Sequence, residues 1–334
     1  MPTLLALLTG RHPALSEGES LWLLQHDVRE CLDILCGAFE ADAADIFLHF
    51  IRHYAFQRLP ERGWPPLSQD LIEFLPRTLG AQLGAARANL LLPLIERARI
   101  GLEQGPNVAD GPARLQAWPQ AADFEQALLS GDHVAASVIL REAAGGGRQL
   151  LEAELGVVQP ALYSIGEKWS RKQVSIAQEH MATAVAKLVM AQAYTTTVHA
   201  PGTGRLAMLS CVEGNQHAVG LRMIGDAFEL AGWQIRYLGA DLPSDEIVRA
   251  AIEYQPDVIG LSASLPRQYV AVRAATQALH QQLGHDCPPI VLGGQAFSML
   301  PAAMPLLGAD CTVTDARHAV SCTAQLIARR DHNT

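Results

Sequence analysis

The chain is short of positive charge. Its 334 residues carry 25 Lys and Arg against 34 Asp and Glu, a formal net charge of −9. Phosphate backbones are held by clustered Lys and Arg, so direct nucleic-acid binding is not expected. A small-molecule or protein partner is. No apolar run reaches membrane-spanning length, so no membrane partner is expected either. The opening stretch MPTLLALLTGRHP is too short and too weakly basic for a secretory signal. The six cysteines are scattered, with no CxxC pair and no zinc spacing. A cytoplasmic chain with reduced thiols is the expectation. No nucleophile–base set and no paired carboxylates stand out, so no catalysis is expected of this chain alone. What the sequence does have is 49% hydrophobic and 18% charged residues, which suits a globular protein with a large core. Its length suits two or three domains.

Three regions follow one another. From Arg205, the apolar runs RLAMLSCV, WQIRYLGADL, DVIGLSASL, PPIVLGGQAF and CTVTDA alternate with helical patterns. The helices fit VGLRMIGDAFELA, SDEIVRAAIEY, QYVAVRAATQALHQQLG and SMLPAAMPLLG, and a last one starts after Ala316. This alternation predicts a doubly wound five-stranded parallel, Rossmann-like sheet domain over 201–334. Before it, AADFEQALLSGD, HVAASVILREAAGG, QLLEAELGVVQPALYSIGEKWSRK and VSIAQEHMATAVAKLVMAQAY predict a four-helix bundle over 118–200. The region 1–105 is also helical, and 106–117 reads as a linker rich in Gly and Pro. The fold class is α/β plus all-α.

The turn after the first strand reads Asn215-x-His217-x-x-Gly220. The third strand ends in Ser262-Ala263-Ser264 and the fourth in Gly293-Gly294. All lie at carboxyl ends of predicted strands, where open α/β sheets bind ligands. Small residues leave a slot beside a projecting imidazole. That suits a large planar ligand whose metal wants an axial nitrogen. The ordinary readings stand beside it: a solvated loop histidine, glycines serving a turn, and a serine capping backbone.

The pattern resembles the cobalamin-binding signature D-x-H-x-x-G, S-x-L, G-G, over Arg205 to about Ala328. The resemblance implies that His217 ligates cobalt from below. Ser262, Gly293 and Gly294 would line the slot for the displaced benzimidazole tail. Gly220 and Ser264 belong to the same signature. Asn215 stands where the family carries an aspartate on the far nitrogen of the ligating histidine. An amide orients the ring but pushes less charge onto it. Ser264 stands in place of leucine.

Trp169 is followed, after nine residues, by Glu179 and His180. A core tryptophan and a solvated Glu-His pair are the ordinary reading. The W-x9-EH spacing resembles that of CarH-type light-sensing adenosylcobalamin receptors. The resemblance implies a bundle that caps the upper face of the corrin, with Trp169, Glu179 and His180 lining the adenosyl pocket and Ile176 as a packing residue beside it. Family members carry a histidine after the tryptophan; here it is Ser170, which removes that upper ligand after photolysis.

CarH-type receptors begin with a winged-helix DNA reader, and the helical patterns of the first region are not expected to form one. Instead RLPERGWPPLSQDLIEFLPRTLGAQL resembles the helix junction of globin-like sensor domains, as in the photocobilins, which hold biliverdin beside cobalamin. That resemblance would set His26, His49 and His53 toward a bilin pocket. Cys31 and Cys36 are expected to be buried structural thiols rather than attachment points. The leading expectation is a light-responsive cobalamin-dependent signalling protein acting through a homo-oligomer or a signalling partner, with biliverdin as a second chromophore. The alternative is a corrinoid shuttle for methyl groups. An adenosylcobalamin mutase subunit is disfavoured, because its radical chemistry needs a large barrel absent here.

Overall fold

The computed structural model describes residues 2–40, 44–55, 67–105, 116–146, 149–299 and 307–331. Two compact units divide the chain. One comprises Met1–Pro112, Ala263–Gln277 and Gln295–Gly308; the other comprises Ala113–Ser262, Ala278–Gly294 and Ala309–Thr334.

The first unit is helical. Its N-terminal part holds α1 (Pro2–Arg11), α2 (Gly18–Glu40), α3 (Ala44–His53), α4 (Leu67–Leu83) and α5 (Ala85–Glu103). Helix α1, which has no counterpart in the sequence expectations, is tied to α4. Arg11 pairs with Asp70 and Glu73, and His12 Nε2 lies 2.5 Å from Asp70 Oδ2. Helices α3 and α5 approach so closely that a Cβ at Gly101 would meet Leu48 Cδ1 at 2.0 Å. Helix α2 also packs on the short 3₁₀ turn Pro266–Gln268, and Arg273 donates to the Glu40 carbonyl at 2.9 Å. Pieces of chain from the sheet region thus belong with the N-terminal helices. The first part of the proposed globin-like junction, residues 58–66, and the side chains of His49 and His53 lie outside the described residues; the rest of it is α4. His26 does not turn inward. It is exposed and stacks on Trp22 at 5.8 Å, because Leu24, Val28 and Cys31 take the buried face of α2.

The second unit opens with the bundle: α6 (Gln120–Ser130), α7 (His133–Ala143), α8 (Leu150–Ala153), α9 (Gln159–Ser170) and α10 (Ile176–Tyr194). Gly131 stops α6 in the left-handed conformation, φ 73°. Asp132 caps α7 by accepting from Ala135 N at 2.9 Å. Ser175 and Gln178 form a capping box on α10. The expected third helix is interrupted by a π turn at Glu154–Val158. The cause is local. Pro160 has no N–H to give the Gly156 carbonyl, which accepts from Trp118 N instead at 2.8 Å. Only glycine fits there, since a Cβ at 156 would lie 2.6 Å from the Trp118 indole.

In chain order the sheet region follows with β1 (Leu206–Val212), α11 (Val219–Leu230), β2 (Gln234–Leu242), α12 (Ser244–Tyr254), β3 (Val258–Ser262), α13 (Tyr269–Leu283), β4 (Ile290–Gly293), α14 (Gln295–Met299), β5 (Cys311–Thr312) and α15 (Ala316–Asp331), of which α14 and the start of α13 belong to the first unit. All pairings are parallel and the order is β2-β1-β3-β4-β5. The order reverses between β1 and β3, which opens a crevice at their carboxyl ends. Bundle and sheet domain share one core: Phe124, Leu140, Val158 and Val189 lie in the same buried cluster as Met223 and Ala227 of α11. The expectation of reduced thiols is corrected at one pair, Cys311–Cys322, which the short path from β5 into α15 brings into a disulfide. Cys31, Cys211 and Cys287 are free and buried; Cys36 is exposed, against expectation, because it falls on the outer face of α2.

Candidate functional site

The strand register sets Cys211, Ser262 and Gly293 in one row across β1, β3 and β4. The row ends at the crevice. His217 follows β1 directly and is exposed, as is Gly220 at the start of α11. Asn215, two residues before the histidine, is wholly buried. Its amide is committed on both sides: Oδ1 accepts from His217 N at 3.1 Å, and Nδ2 donates to the Ser262 carbonyl at 2.9 Å. It orients the backbone of the turn and ties β1 to β3. The departure from aspartate has its reason here, because a carboxylate has no hydrogen to give the Ser262 carbonyl.

A second clasp was not foreseen. Asp241, at the end of β2, has φ 57°. Its carboxylate accepts from Gly214 N at 2.7 Å and from Gln216 Nε2 at 2.6 Å, while its own N–H donates to the Asn215 carbonyl at 3.1 Å. The residues flanking His217 are therefore held from two neighbouring strands. In sequence, the only sign was an acidic residue at a strand end.

Ser262 is 6% exposed. Burial pushes the Cys211 thiol up to about 11, against a hydrogen bond from Ser262 that lowers it. Gly293 packs its α-carbon so near β5 that a Cβ would meet Val313 Cγ2 at 3.3 Å. Gly294 has φ 102°. The turn roles of these glycines are real, and they leave the strand ends without side chains. Ser264 belongs to the first unit, where its N–H donates to Gln268 Oε1 at 2.8 Å.

In the bundle, Trp169 is 41% and Ile176 59% exposed. Glu179 Oε2 lies 2.6 Å from His180 Nδ1, and Glu179 Oε1 accepts from Thr183 Oγ1 at 2.9 Å. Thr183 thus fixes the Glu179 rotamer. Among the described residues no three His, Cys, Asp or Glu side chains group to hold a bare ion.

The B12 binding domain family matches residues 205–321, and a second B12 binding domain family matches residues 120–194. The HTH-type transcriptional repressor CarH of Myxococcus xanthus is 28% identical over 244 residues, 71% of this chain and 78% of that protein. The repressor CarA of the same organism is 28% identical over 215 residues, 59% of this chain and 68% of its own length. Dimethylamine corrinoid protein 3 of Methanosarcina mazei is 28% identical over 117 residues, 35% of this chain and 69% of that protein. The monomethylamine corrinoid protein of Methanosarcina barkeri shares the fold, with a TM-score of 0.52 at 18% identity over 61% of this chain and 96% of that one. Cobalamin binding is supported by both domain matches. The named relatives are repressors and corrinoid proteins, in keeping with the expectation that this chain is not itself an enzyme. Among the described residues no helix is long and apolar enough to cross a membrane.

Proposed function

We propose that this chain is a light-responsive, cobalamin-dependent signalling protein. His217 would give the lower axial nitrogen, and Ser262, Gly293 and Gly294 would receive the tail. Trp169, Ile176, Glu179 and His180 would meet the upper face, with Ser170 leaving no histidine beside the tryptophan. Adenosylcobalamin, when bound, supplies a cobalt–carbon bond that visible light breaks. The observation that carries the reading is Trp169: a large aromatic left 41% exposed near the end of α9, in W-x9-EH spacing with the paired Glu179 and His180. An exposed tryptophan has packing still to gain. Its contacts with an adenosyl group would be present in one state and lost in the other, as a switch requires. The output would pass through self-association or a protein partner, for which the N-terminal helices are the candidate surface. Biliverdin would be a second chromophore only if those helices form a globin-like pocket; red absorbance after adding biliverdin tests that.

A corrinoid shuttle for methyl groups is the second reading, favoured by the similarity to dimethylamine corrinoid proteins. Its similarity covers 35% of the chain against 71% for CarH, and a shuttle needs its upper face open. The deciding experiment loads the dark protein with adenosylcobalamin and follows absorbance and hydrodynamic size before and after green light. A spectral change with a change in size or partner binding supports the switch. A spectral change alone, with methyl transfer to an added methyltransferase, transfers the case to the shuttle.

A further inference from the structure

Glu154 is 0% exposed. It sits on the π turn, in a stretch where Ala153 to Val158 are all buried, so the widened turn carries a carboxyl group into the core. Among the described residues, neither of its oxygens has a hydrogen-bond partner. The group nearest in kind is another carboxylate, Asp226 of α11, within hydrogen-bonding reach and 2% exposed. Two buried carboxylates cannot both stay ionised at such a distance. As an anion Glu154 is orphaned; as an acid it has an acceptor.

The surrounding charges decide which oxygen keeps the proton. Arg222 donates to Asp226 Oδ1 through Nε at 2.8 Å and through Nη2, and Nη2 also reaches Glu229 Oε2 at 2.5 Å. The guanidinium is fixed by Tyr194 of α10 and Tyr237 of β2, 5.6 and 5.3 Å from their ring centres. Both tyrosines are pushed up to about 12 by burial, so they stay neutral. One guanidinium thus bonds two carboxylates, Asp226 and Glu229, and its charge offsets only a small part of what burial and Asp226 do to Glu154. Burial, and then the charge on Asp226, raise the Glu154 carboxyl well above the usual range.

We propose that Glu154 keeps its proton in the folded protein at neutral pH and donates it to Asp226, so that one shared proton latches the bundle to α11. Helix α11 starts two residues after His217, so the latch joins the bundle to the helix behind the histidine turn. Unlatching transfers the proton from the Glu154 oxygen to water and leaves two facing carboxylates, which repel.

The sign follows from linkage. Glu154 ionises near 4.5 in the unfolded chain and higher in the folded one. Its contribution to stability is fully present below 4.5 and is lost progressively as pH rises toward the folded value. Across that window folding takes up one proton, a tenfold fall in the folding constant per pH unit.

The test is denaturant unfolding of the full chain without cofactor between pH 5.5 and 7.5, beside Glu154→Gln. Glutamine keeps a donor toward Asp226 and has no proton to lose. The wild-type folding constant should fall more steeply than the variant's, by a factor of ten per pH unit. Equal slopes would overturn the latch. If Glu154→Gln does not fold, infrared spectra of wild type decide: a protonated-carboxyl stretch at pH 7 supports the latch, and its absence overturns it.

Discussion

The sheet edge and the bundle end are built in opposite ways. At the sheet edge Asn215 is fully buried, with its amide oxygen and nitrogen both bonded, and Asp241 holds the same turn from the next strand. At the bundle end Trp169 and Ile176 are 41% and 59% exposed, and only the Glu179–His180 pair is ordered by Thr183. The first surface is preorganised, so a ligand entering it has little backbone to order. The second has apolar area still to bury, so what covers it gains by doing so. A fixed sheet edge and an exposed bundle end are what the proposed reading asks of a lower and an upper face: a cofactor that stays while its upper contacts change.

The sharpest way to break that contrast is at the lower face. His217→Ala should weaken cobalamin binding by about 100-fold or more, since even indirect partners of a metal ligand are worth about 10–100-fold. Titration followed by visible absorbance reads both the affinity and the loss of the axial nitrogen. A variant with the wild-type spectrum and affinity would remove His217 from the site.

Trp169→Ala should act on the other side of the contrast. Cobalamin binding and photolysis should persist, because the turn and the strand ends are untouched, while any light-dependent change in size disappears. A buried tryptophan costs about 3–5 kcal/mol to truncate; one 41% exposed should cost clearly less, so the variant should fold. Dark and lit samples eluting apart as in wild type would mean that Trp169 senses nothing.

The sequence showed one side of this contrast better than the other. The strands β1, β3 and β4 were legible because buried parallel strands are near-continuous apolar runs. The convergence of His217, Ser262 and Gly293 followed from placing each at a strand end. The bond from Asn215 to the Ser262 carbonyl was not legible, because its partner lies 47 residues away. Asp241 was missed for the same reason, as its bonds to the turn exist only once β2 lies beside β1. The π turn reads as ordinary helix by periodicity, since it depends on Trp118 reaching Gly156. Chain order also gave no hint that Ala263–Gln277 and Gln295–Gly308 belong with the N-terminal helices.

A smaller effect is expected at Asn215. By analogy with ligating histidines held by carboxylates, Asn215→Asp should strengthen the axial bond. The observed bonds argue otherwise. The carboxylate would face the Ser262 carbonyl with no hydrogen between them, in a fully buried position. Leaving such a group unsatisfied costs about 1–3 kcal/mol, and the His217 N–H that it keeps is backbone, not ring. Thermal unfolding should fall and the axial spectrum should not sharpen. A more stable variant with a stronger axial band would show that the turn rearranges to meet the ring.

The smallest effect tests whether the lower face is rigid because of its second clasp. Asp241 accepts from Gly214 N and Gln216 Nε2 in a solvent-exposed setting, so water can replace much of what is lost. Asp241→Ala should cost about 1 kcal/mol, near fivefold in cobalamin affinity, with little change in spectrum, because His217 itself remains. Part of the cost comes from the backbone: a φ of 57° is tolerated by Asp better than by Ala. Asp241→Asn separates the two causes, since asparagine accepts that conformation and keeps one acceptor oxygen. It should retain most of the affinity if backbone geometry dominates, and match the alanine variant if both carboxylate bonds are needed. Wild-type affinity in both variants would mean that Asn215 alone holds the turn, and that the lower face owes its rigidity to the β1–β3 tie rather than to clasps from both neighbouring strands.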